Sequence, residues 1–229
     1  MNFDLVIFDC DGVLVDSEAL ACVVHADVLT AHGYAISPAQ VHARFLGRSS
    51  REARAEVETE MGRLLPDEYT VQLKSTIDRV FGEQLTVVPG IAEALAKLSL
   101  PICVASSGTP TRIVSSLTTT GLLERFAPNL FSASQVTNGK PAPDLFLFAA
   151  ARMGATPSRC VVIEDSVPGV IGAKAASMTV LGFHGGAHCG PDTAAALKAA
   201  GADITFDDMR QLPGLIGEIA RNPTPASIA

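Results

Sequence analysis

The sequence lacks tryptophan, and aromatic residues make up only 5% of its 229 residues. Acidic residues outnumber basic ones by 24 to 17, so the formal net charge is −7. A surface that binds nucleic acid needs basic stripes and aromatic side chains on which bases stack. The composition therefore argues against nucleic acid as a partner.

The five cysteines are scattered along the chain, and none of them forms a Cys-x-x-Cys pair. An odd number without paired spacing argues against both a zinc site and a disulfide framework. The sequence also lacks a long apolar run, and Asp4 lies where a signal peptide would begin. We expect a soluble, cytoplasmic protein that does not bind membranes.

What the sequence does contain is a series of short, wholly apolar segments that alternate with segments of helical periodicity. Such apolar runs are typical of strands that are buried on both faces of a parallel sheet. Strands alternating with helices predict an α/β fold in which helices cover both sides of the sheet. The predicted strands are residues 5–9, 102–106, 160–164, 179–183 and, more weakly, 203–206.

The part of the chain that follows residue 16 breaks this alternation, because it contains only helix-period segments until the next strand approaches. Four helices inserted after the first strand predict a separate helical subdomain. We therefore divide the chain into a core domain, residues 1–16 and 86–229, and a helical cap domain, residues 17–85. The final segment, residues 221–229, contains proline and serine and is expected to fray.

Acidic residues stand at the carboxyl ends of two predicted strands. Asp9 ends the first strand and Asp11 lies just beyond it, while the third strand ends in Glu164 and Asp165. Ligands of parallel α/β sheets bind at this edge of the sheet. Acids gathered there repel one another unless a cation lies among them. Because a few oxygen ligands suit Mg²⁺, the pattern predicts a magnesium site.

The same acids have the chemistry for phosphoryl transfer to a carboxylate. Asp9 is the predicted nucleophile, since carboxylates form acyl-phosphate intermediates. Asp11, two residues later, is placed to protonate the leaving alkoxide and afterwards to activate water. We therefore predict that both residues are catalytic.

Other residues at this edge are predicted to hold the phosphate group. Lys140 lies in the segment "NGKPAP", whose prolines keep it from starting a helix. Its ammonium group would neutralise phosphate charge. Ser106, at the end of the second strand, would hold phosphate oxygens, and Ser107 and Thr109 compete with it as the hydroxyl ligand.

Four stretches that contain these residues resemble the four motifs of the haloacid-dehalogenase superfamily. They occur in the order of that family and span the chain: "DCDGVLVDSE", "VASSG", "GKPAPDLF" and "VVIEDSVPGVIGAKAA". A helical cap between the first two motifs is similar to the β-phosphoglucomutase/phosphoglycolate-phosphatase branch. The resemblance implies a Rossmann-like core and Mg²⁺-dependent hydrolysis through an aspartyl phosphate.

The motif match implies the same catalytic and phosphate-binding roles as the reasoning above. For the metal, it implies that Asp9, Asp165 and the backbone carbonyl of Asp11 are ligands, with Glu164 beside them. These four residues are therefore the predicted metal site.

The motifs also separate branches of the superfamily. Haloacid dehalogenases lack the second acid of the Asp-x-Asp pair, so Asp11 favours phosphate esters as substrates. Sugar phosphomutases carry a histidine near the fifth position of the first cap helix, where this chain has Ala21, and His25 lies one turn later. We predict a phosphatase for a small sugar or sugar-acid phosphate, with a sugar phosphomutase as the alternative. A receiver-like signalling domain would carry its phosphorylated aspartate at a mid-chain strand, unlike Asp9.

In the cap, the segment "FLGRSSREA" places Arg48 and Arg51 around a flexible Gly47. One of the arginines is predicted to reach the substrate when the cap closes, where a guanidinium offers bidentate contacts to an anion. The alternative is ordinary solvated charge at the start of a helix.

The five histidines lack the spacing of metal ligands, and they are predicted to occupy surface or helix positions. Two of them lie in "GFHGGAHCG", which is rich in glycine but has no dinucleotide-binding pattern. That segment is predicted to be a loop.

Overall fold

The computed structural model describes residues 3–45 and 50–221. Gly47 and Arg48, which were predicted to contact substrate, lie outside the described residues. The same holds for residues 222–229, where fraying was predicted.

The described strands form one six-stranded parallel sheet with the order β3-β2-β1-β4-β5-β6. The strands are β1 Leu5–Phe8, β2 Ile102–Ser106, β3 Leu130–Ser132, β4 Cys160–Glu164, β5 Thr179–Phe183 and β6 Ile204–Phe206. This sheet confirms the predicted α/β fold class. The strand β3, which has three residues and lies at one edge of the sheet, was not predicted from the sequence.

Helices lie on both sides of the sheet, and four of them follow β1 in the chain before β2 begins. The helices are α1 Glu18–Ala31, α2 Pro38–Phe45, α3 Ser50–Met61, α4 Asp67–Gln84, α5 Ile91–Lys97, α6 Pro110–Thr119, α7 Leu123–Phe126, α8 Asp144–Arg152, α9 Val167–Ala175, α10 Thr193–Ala199 and α11 Leu212–Arg221. Within the described ranges, none of them has both the length and the apolar character of a membrane span.

The central strands are apolar because both of their faces are covered. All four residues of β1 and all five of β4 are buried. Side chains alternate between the faces of a strand. Val6 and Phe8 therefore join the apolar cluster on one side of the sheet, and Leu5 and Ile7 join the cluster on the other.

The longest helix of the predicted cap, α4, packs through a stripe of apolar residues that are four positions apart. Tyr69, Leu73, Ile77 and Phe81 are all buried. This spacing puts them on one face of the helix. Phe81 lies in the last turn of that stripe, near the chain's return to the sheet.

The chain leaves the sheet and returns to it through two segments that run side by side. The backbone N–H of Asp16 donates to the Thr86 carbonyl at 3.0 Å, and that of Val88 donates to the Leu14 carbonyl at 3.0 Å. These bonds fix the turn that follows β1, which carries Asp11, beside the base of the cap.

Candidate active site

The carboxyl ends of β1 and β4 bring three acidic side chains together. The backbone N–H of Asp9 donates to the Ile163 carbonyl at 3.0 Å, which places Asp9 beside the end of β4. One carboxylate oxygen from each of Asp9, Glu164 and Asp165 lies within 4.8 Å of the others. Glu164 is fully buried, and Asp9 is 8% exposed. These oxygens form a cluster that could bind a metal ion.

Lys140 contacts two of the three acids. Its Nζ donates to Oδ1 of Asp9 at 2.8 Å and to Oε1 of Glu164 at 2.5 Å. The lysine side chain is only 5% exposed. Burial disfavours the ammonium charge, but the two carboxylates outweigh burial and raise the pKa of Lys140. The lysine is therefore a buried, permanent cation at the side of Asp9.

The single positive charge of Lys140 does not balance the negative charges of the three carboxylates. Burial raises the pKa of Asp9 well above its usual range, since Lys140 offsets the loss of solvent only in part and the neighbouring acids add to the shift. Burial also raises the pKa of Asp165, although His188 donates a hydrogen bond to it. A divalent cation that prefers oxygen ligands would keep both groups ionised. The donor set therefore fits Mg²⁺.

Glu164 is held by the start of α9. Its Oε2 accepts from the backbone N–H of Ser166 at 3.1 Å and from the Ser166 hydroxyl at 2.9 Å. The same hydroxyl accepts from the N–H of Gly169 and so caps the helix. A side chain at Gly169 would collide with the Glu164 carboxylate. The local sequence Glu-Asp-Ser-x-x-Gly thus holds the Glu164 carboxylate in a fixed position.

Asp11 has a different environment from the cluster. Its Oδ1 accepts from the Ser17 hydroxyl at 2.6 Å, and an Nη of Arg112 lies 3.6 Å from the same oxygen. The chain turns after Asp11 at Gly12, whose φ is +78°. A side chain at Gly12 would collide with Asp165, so only glycine lets the turn pass this close to the cluster.

The end of β2 and the loop after it carry three hydroxyl side chains, Ser106, Ser107 and Thr109, to the start of α6. Ser106 is buried, and its Oγ accepts from the N–H of Gly108 at 3.0 Å. Ser107 is exposed, whereas Thr109 caps α6 by accepting from the N–H of Arg112. Which of the three hydroxyls binds phosphate stays a prediction.

A family model described as a haloacid dehalogenase-like hydrolase matches residues 3–177. The chain belongs to this family. The family match confirms both the predicted superfamily and the prediction that the protein is a hydrolase.

Relatives of this haloacid dehalogenase-like hydrolase match it over most of their length. The 6-phosphogluconate phosphatase of Escherichia coli (strain K12) is 30% identical over 215 residues, which are 93% of this chain and 95% of the relative. A conserved haloacid dehalogenase-like protein from Agrobacterium tumefaciens (strain C58) has a crystal structure with a TM-score of 0.88 at 39% identity, covering 96% of this chain and 100% of that one. A hydrolase of the family from Deinococcus radiodurans R1 was crystallised with bound phosphate and sodium. Its structure has a TM-score of 0.82 at 32% identity and covers 95% of this chain and 96% of that one.

His188 belongs to the acidic site, although the sequence analysis placed the histidines at surface or helix positions. For His188 that prediction is wrong, because the loop after β5 returns to the sheet edge. Its Nε2 lies 2.9 Å from Oδ2 of Asp165, and its side chain is 5% exposed. Burial opposes protonation, but the hydrogen bond to Asp165 outweighs it and raises the pKa of His188 to about 10. A histidine just beyond a strand end, at the edge that carries the acids, was the available signal.

Arg112 is a second site residue of the hydrolase that the sequence analysis missed. It lies in α6, and its guanidinium carbon is 4.3 Å from the centre of the Phe81 ring on α4. The side chain is 29% exposed. Arg112 thus joins the core to the cap beside Asp11. Its position in the first turn of α6 gave no signal in the sequence.

Arg51, which was predicted to reach the substrate, is exposed on α3. Within the described ranges, no hydrogen bond or ion pair joins Arg51 to the acidic cluster. The role of Arg51 in binding substrate stays a prediction, as do those of Gly47 and Arg48.

Proposed function

We propose that this hydrolase is a magnesium-dependent phosphatase that cleaves a small sugar or sugar-acid phosphate through an aspartyl phosphate. The observation that carries the proposal is the buried contact of Lys140 with Asp9, made beside two further acids at the carboxyl edge of the sheet. The E. coli relative, named as a phosphatase of a phosphorylated sugar acid, supports the substrate class.

In the first half of the reaction, a carboxylate oxygen of Asp9 attacks the phosphorus of the bound ester. The bond from phosphorus to the leaving oxygen breaks, and Asp11 gives its proton to that oxygen. Lys140 compensates negative charge on the phosphate. The Ser106 hydroxyl and the backbone N–H of Ser107 hold the phosphate oxygens.

In the second half, a water molecule attacks the phosphorus of the aspartyl phosphate. Asp11, now a carboxylate, takes the proton of that water, and the bond from phosphorus to Asp9 breaks. Phosphate leaves and both aspartates return to their starting states. Asp11 is suited to exchanging protons because the Ser17 hydroxyl holds it outside the metal cluster.

Asp9, Asp165 and the backbone carbonyl of Asp11 would hold Mg²⁺, with Glu164 beside them. The bound ion would supply positive charge next to the phosphate and keep the nucleophile ionised. The three clustered carboxylates, and the raised pKa that burial gives Asp9 and Asp165, support this assignment.

A phosphate-release assay tests the proposal. The purified protein is incubated with Mg²⁺ and a panel of sugar, polyol, sugar-acid and nucleotide monophosphates, and inorganic phosphate is measured. We expect release from sugar or sugar-acid phosphates that EDTA stops and excess Mg²⁺ restores. Consumption of a hexose 1-phosphate without stoichiometric phosphate would instead indicate a mutase, and activity that survives EDTA would contradict the metal site.

The nucleophile is tested in the same assay with Asp9→Asn. This change keeps the shape of the side chain but removes the attacking carboxylate, so turnover should fall by roughly a thousandfold or more for every ester. Asp4→Asn is the matched control, since Asp4 pairs with Arg159 at the opposite end of β1. Unchanged turnover in Asp9→Asn would refute the assignment of the nucleophile.

A further inference from the structure

The guanidinium of Arg112 has hydrogen-bond donors that the described residues do not use. Its nearest acidic oxygen, Oδ1 of Asp11, is 3.6 Å away, which is beyond an ordinary hydrogen bond. Arg54 in the cap shows the contrast. That side chain donates to Glu58, to Thr70 and to the carbonyl of Leu65 at 2.6 to 2.9 Å. Arg54 holds the cap together, whereas Arg112 keeps its donors available.

The contact with Phe81 holds the Arg112 side chain without occupying those donors. A guanidinium that lies over an aromatic face is attracted by the ring, and its N–H groups remain free. Phe81 is buried at the end of the apolar stripe of α4, so its ring is a fixed platform. The guanidinium of Arg112 therefore has a fixed position, but its hydrogen-bond donors lack partners among the described residues.

The position of Arg112 identifies the part of the substrate that it would meet. In the proposed reaction, Asp11 must lie within hydrogen-bond reach of the leaving oxygen. Arg112 is beside Asp11, while Lys140 is beside Asp9 and so at the phosphate. Asp11 already accepts a short hydrogen bond from Ser17, so it does not depend on Arg112 for its orientation. The site thus has one cation for the phosphate and a second at the leaving group.

We propose that Arg112 is a specificity-determining residue that binds a carboxylate of the leaving group. The substrate class is then a phosphorylated sugar acid rather than a neutral sugar phosphate. A guanidinium can bind a carboxylate through two parallel hydrogen bonds, which makes the contact both strong and directional. The inference rests on the proposed phosphatase function and adds to it the charge of the leaving group.

The test compares 6-phosphogluconate with glucose 6-phosphate, which has a neutral leaving group. In Arg112→Gln, kcat/KM for the acid should fall roughly ten- to hundredfold, as expected for charge-assisted hydrogen bonds, while the neutral ester changes roughly threefold or less. Arg112→Lys keeps the charge without the paired donors and should give an intermediate loss. Arg79→Gln on α4 is the control, because Arg79 is exposed and pairs with Glu83, its one ionic partner among the described residues.

Two results would overturn the inference. Equal losses for both esters in Arg112→Gln would mean that Arg112 serves Asp11 or the cap, and unchanged kcat/KM for the acid would mean that it does not touch the substrate. A direct readout is inhibition by gluconate, which should be competitive in the wild type and much weaker in Arg112→Gln.

The failure of the proposed function can be told apart from the failure of this inference. If the wild type releases phosphate from neither ester, the phosphatase proposal fails. Calorimetric titration with gluconate then decides the role of Arg112 alone. Binding to the wild type that is lost in Arg112→Gln supports the carboxylate contact, and absence of binding to the wild type overturns it.

Discussion

The two ends of the candidate active site are built in different ways. At the phosphate end, Asp9, Glu164 and Lys140 come from the sheet and its loops and are almost completely buried. Lys140 contacts Glu164 at 2.5 Å and Asp9 at 2.8 Å. At the leaving-group end, Arg112 from the core lies against Phe81 from the cap and is 29% exposed. The first end is buried, and the second is partly exposed where α6 meets α4.

This difference assigns the chemical reaction to the phosphate end and the choice between substrates to the leaving-group end. Buried groups joined by short ion pairs resist rearrangement, so every substrate meets the same nucleophile and the same cation. The Arg112 side chain is 29% exposed and has no hydrogen-bond partner among the described residues, so one leaving group can satisfy it and another cannot. Changes at the phosphate end should therefore reduce all reactions alike, whereas changes at the leaving-group end should alter the ratio between substrates.

The largest expected effect comes from Lys140→Met. The change removes the cation that compensates charge on the phosphate, so kcat/KM should fall by roughly a thousandfold for acidic and neutral esters alike. Unfolding in urea should also show a loss of roughly 3–5 kcal/mol, because two buried carboxylates lose their partner. Phosphate-release kinetics and urea titrations measure the two effects.

Lys174→Met is the control for Lys140→Met. Lys174 pairs with Asp203 at a distance of 2.9 Å and is 36% exposed. This pair lies outside the acidic cluster, so the loss of Lys174 should leave turnover unchanged. A Lys140→Met protein that loses activity on only one class of ester would contradict the division of the site into two ends.

The phosphate end could be predicted from the sequence because its residues sit at strand ends. Apolar runs located β1 and β4, and the carboxyl edge of a parallel sheet must gather whatever follows them. That reasoning brought Asp9 and Asp165 together from positions more than 150 residues apart. The family motifs then placed Lys140 beside them.

The leaving-group end could not be predicted in this way, since it depends on how helices pack. Arg112 meets Phe81 only because α4 and α6 lie side by side, and no periodicity states that contact. His188 depends on the path of a loop rich in glycine. The strand β3 is too short, at three residues, to show an alternating pattern.

A smaller effect is expected from a change of His188, in the loop after β5, which contacts the phosphate end of the site. In His188→Ala, Asp165 loses its hydrogen-bond donor and with it a fixed orientation. Affinity for the metal should then weaken roughly ten- to hundredfold, with little change of kcat at saturating Mg²⁺. Binding of Mn²⁺, followed by electron paramagnetic resonance, measures affinity without relying on turnover, and His188→Gln should recover part of it.

His184→Ala is the matched control for the metal experiment. His184 lies in the same loop, and in the described part of the chain its ring pairs with no carboxylate. Tighter Mn²⁺ binding in His188→Ala would reverse the interpretation, because it would mean that the histidine competes with the metal for Asp165.

The smallest expected effect concerns Glu18, the first residue of α1, at the leaving-group end of the site. Burial raises the pKa of Glu18 from 4.5 to about 7, and the negative charges of Asp11 and Asp165 add to the shift. A carboxyl group whose pKa is higher in the folded state stabilises the protein at low pH, and this contribution is lost as the pH rises from about 4.5 to about 7.

The stability of the isosteric variant Glu18→Gln should therefore differ from that of the wild type only as the pH rises. In EDTA, the two proteins should have similar Tm values at pH 5, and the variant should melt a few degrees higher at pH 8. Glu68→Gln is the control, since Glu68 also lies in the first turn of a cap helix but is exposed. A Tm difference that is the same at both pH values would show that Glu18 acts through packing. The leaving-group end would then lack the excess negative charge that Arg112 faces.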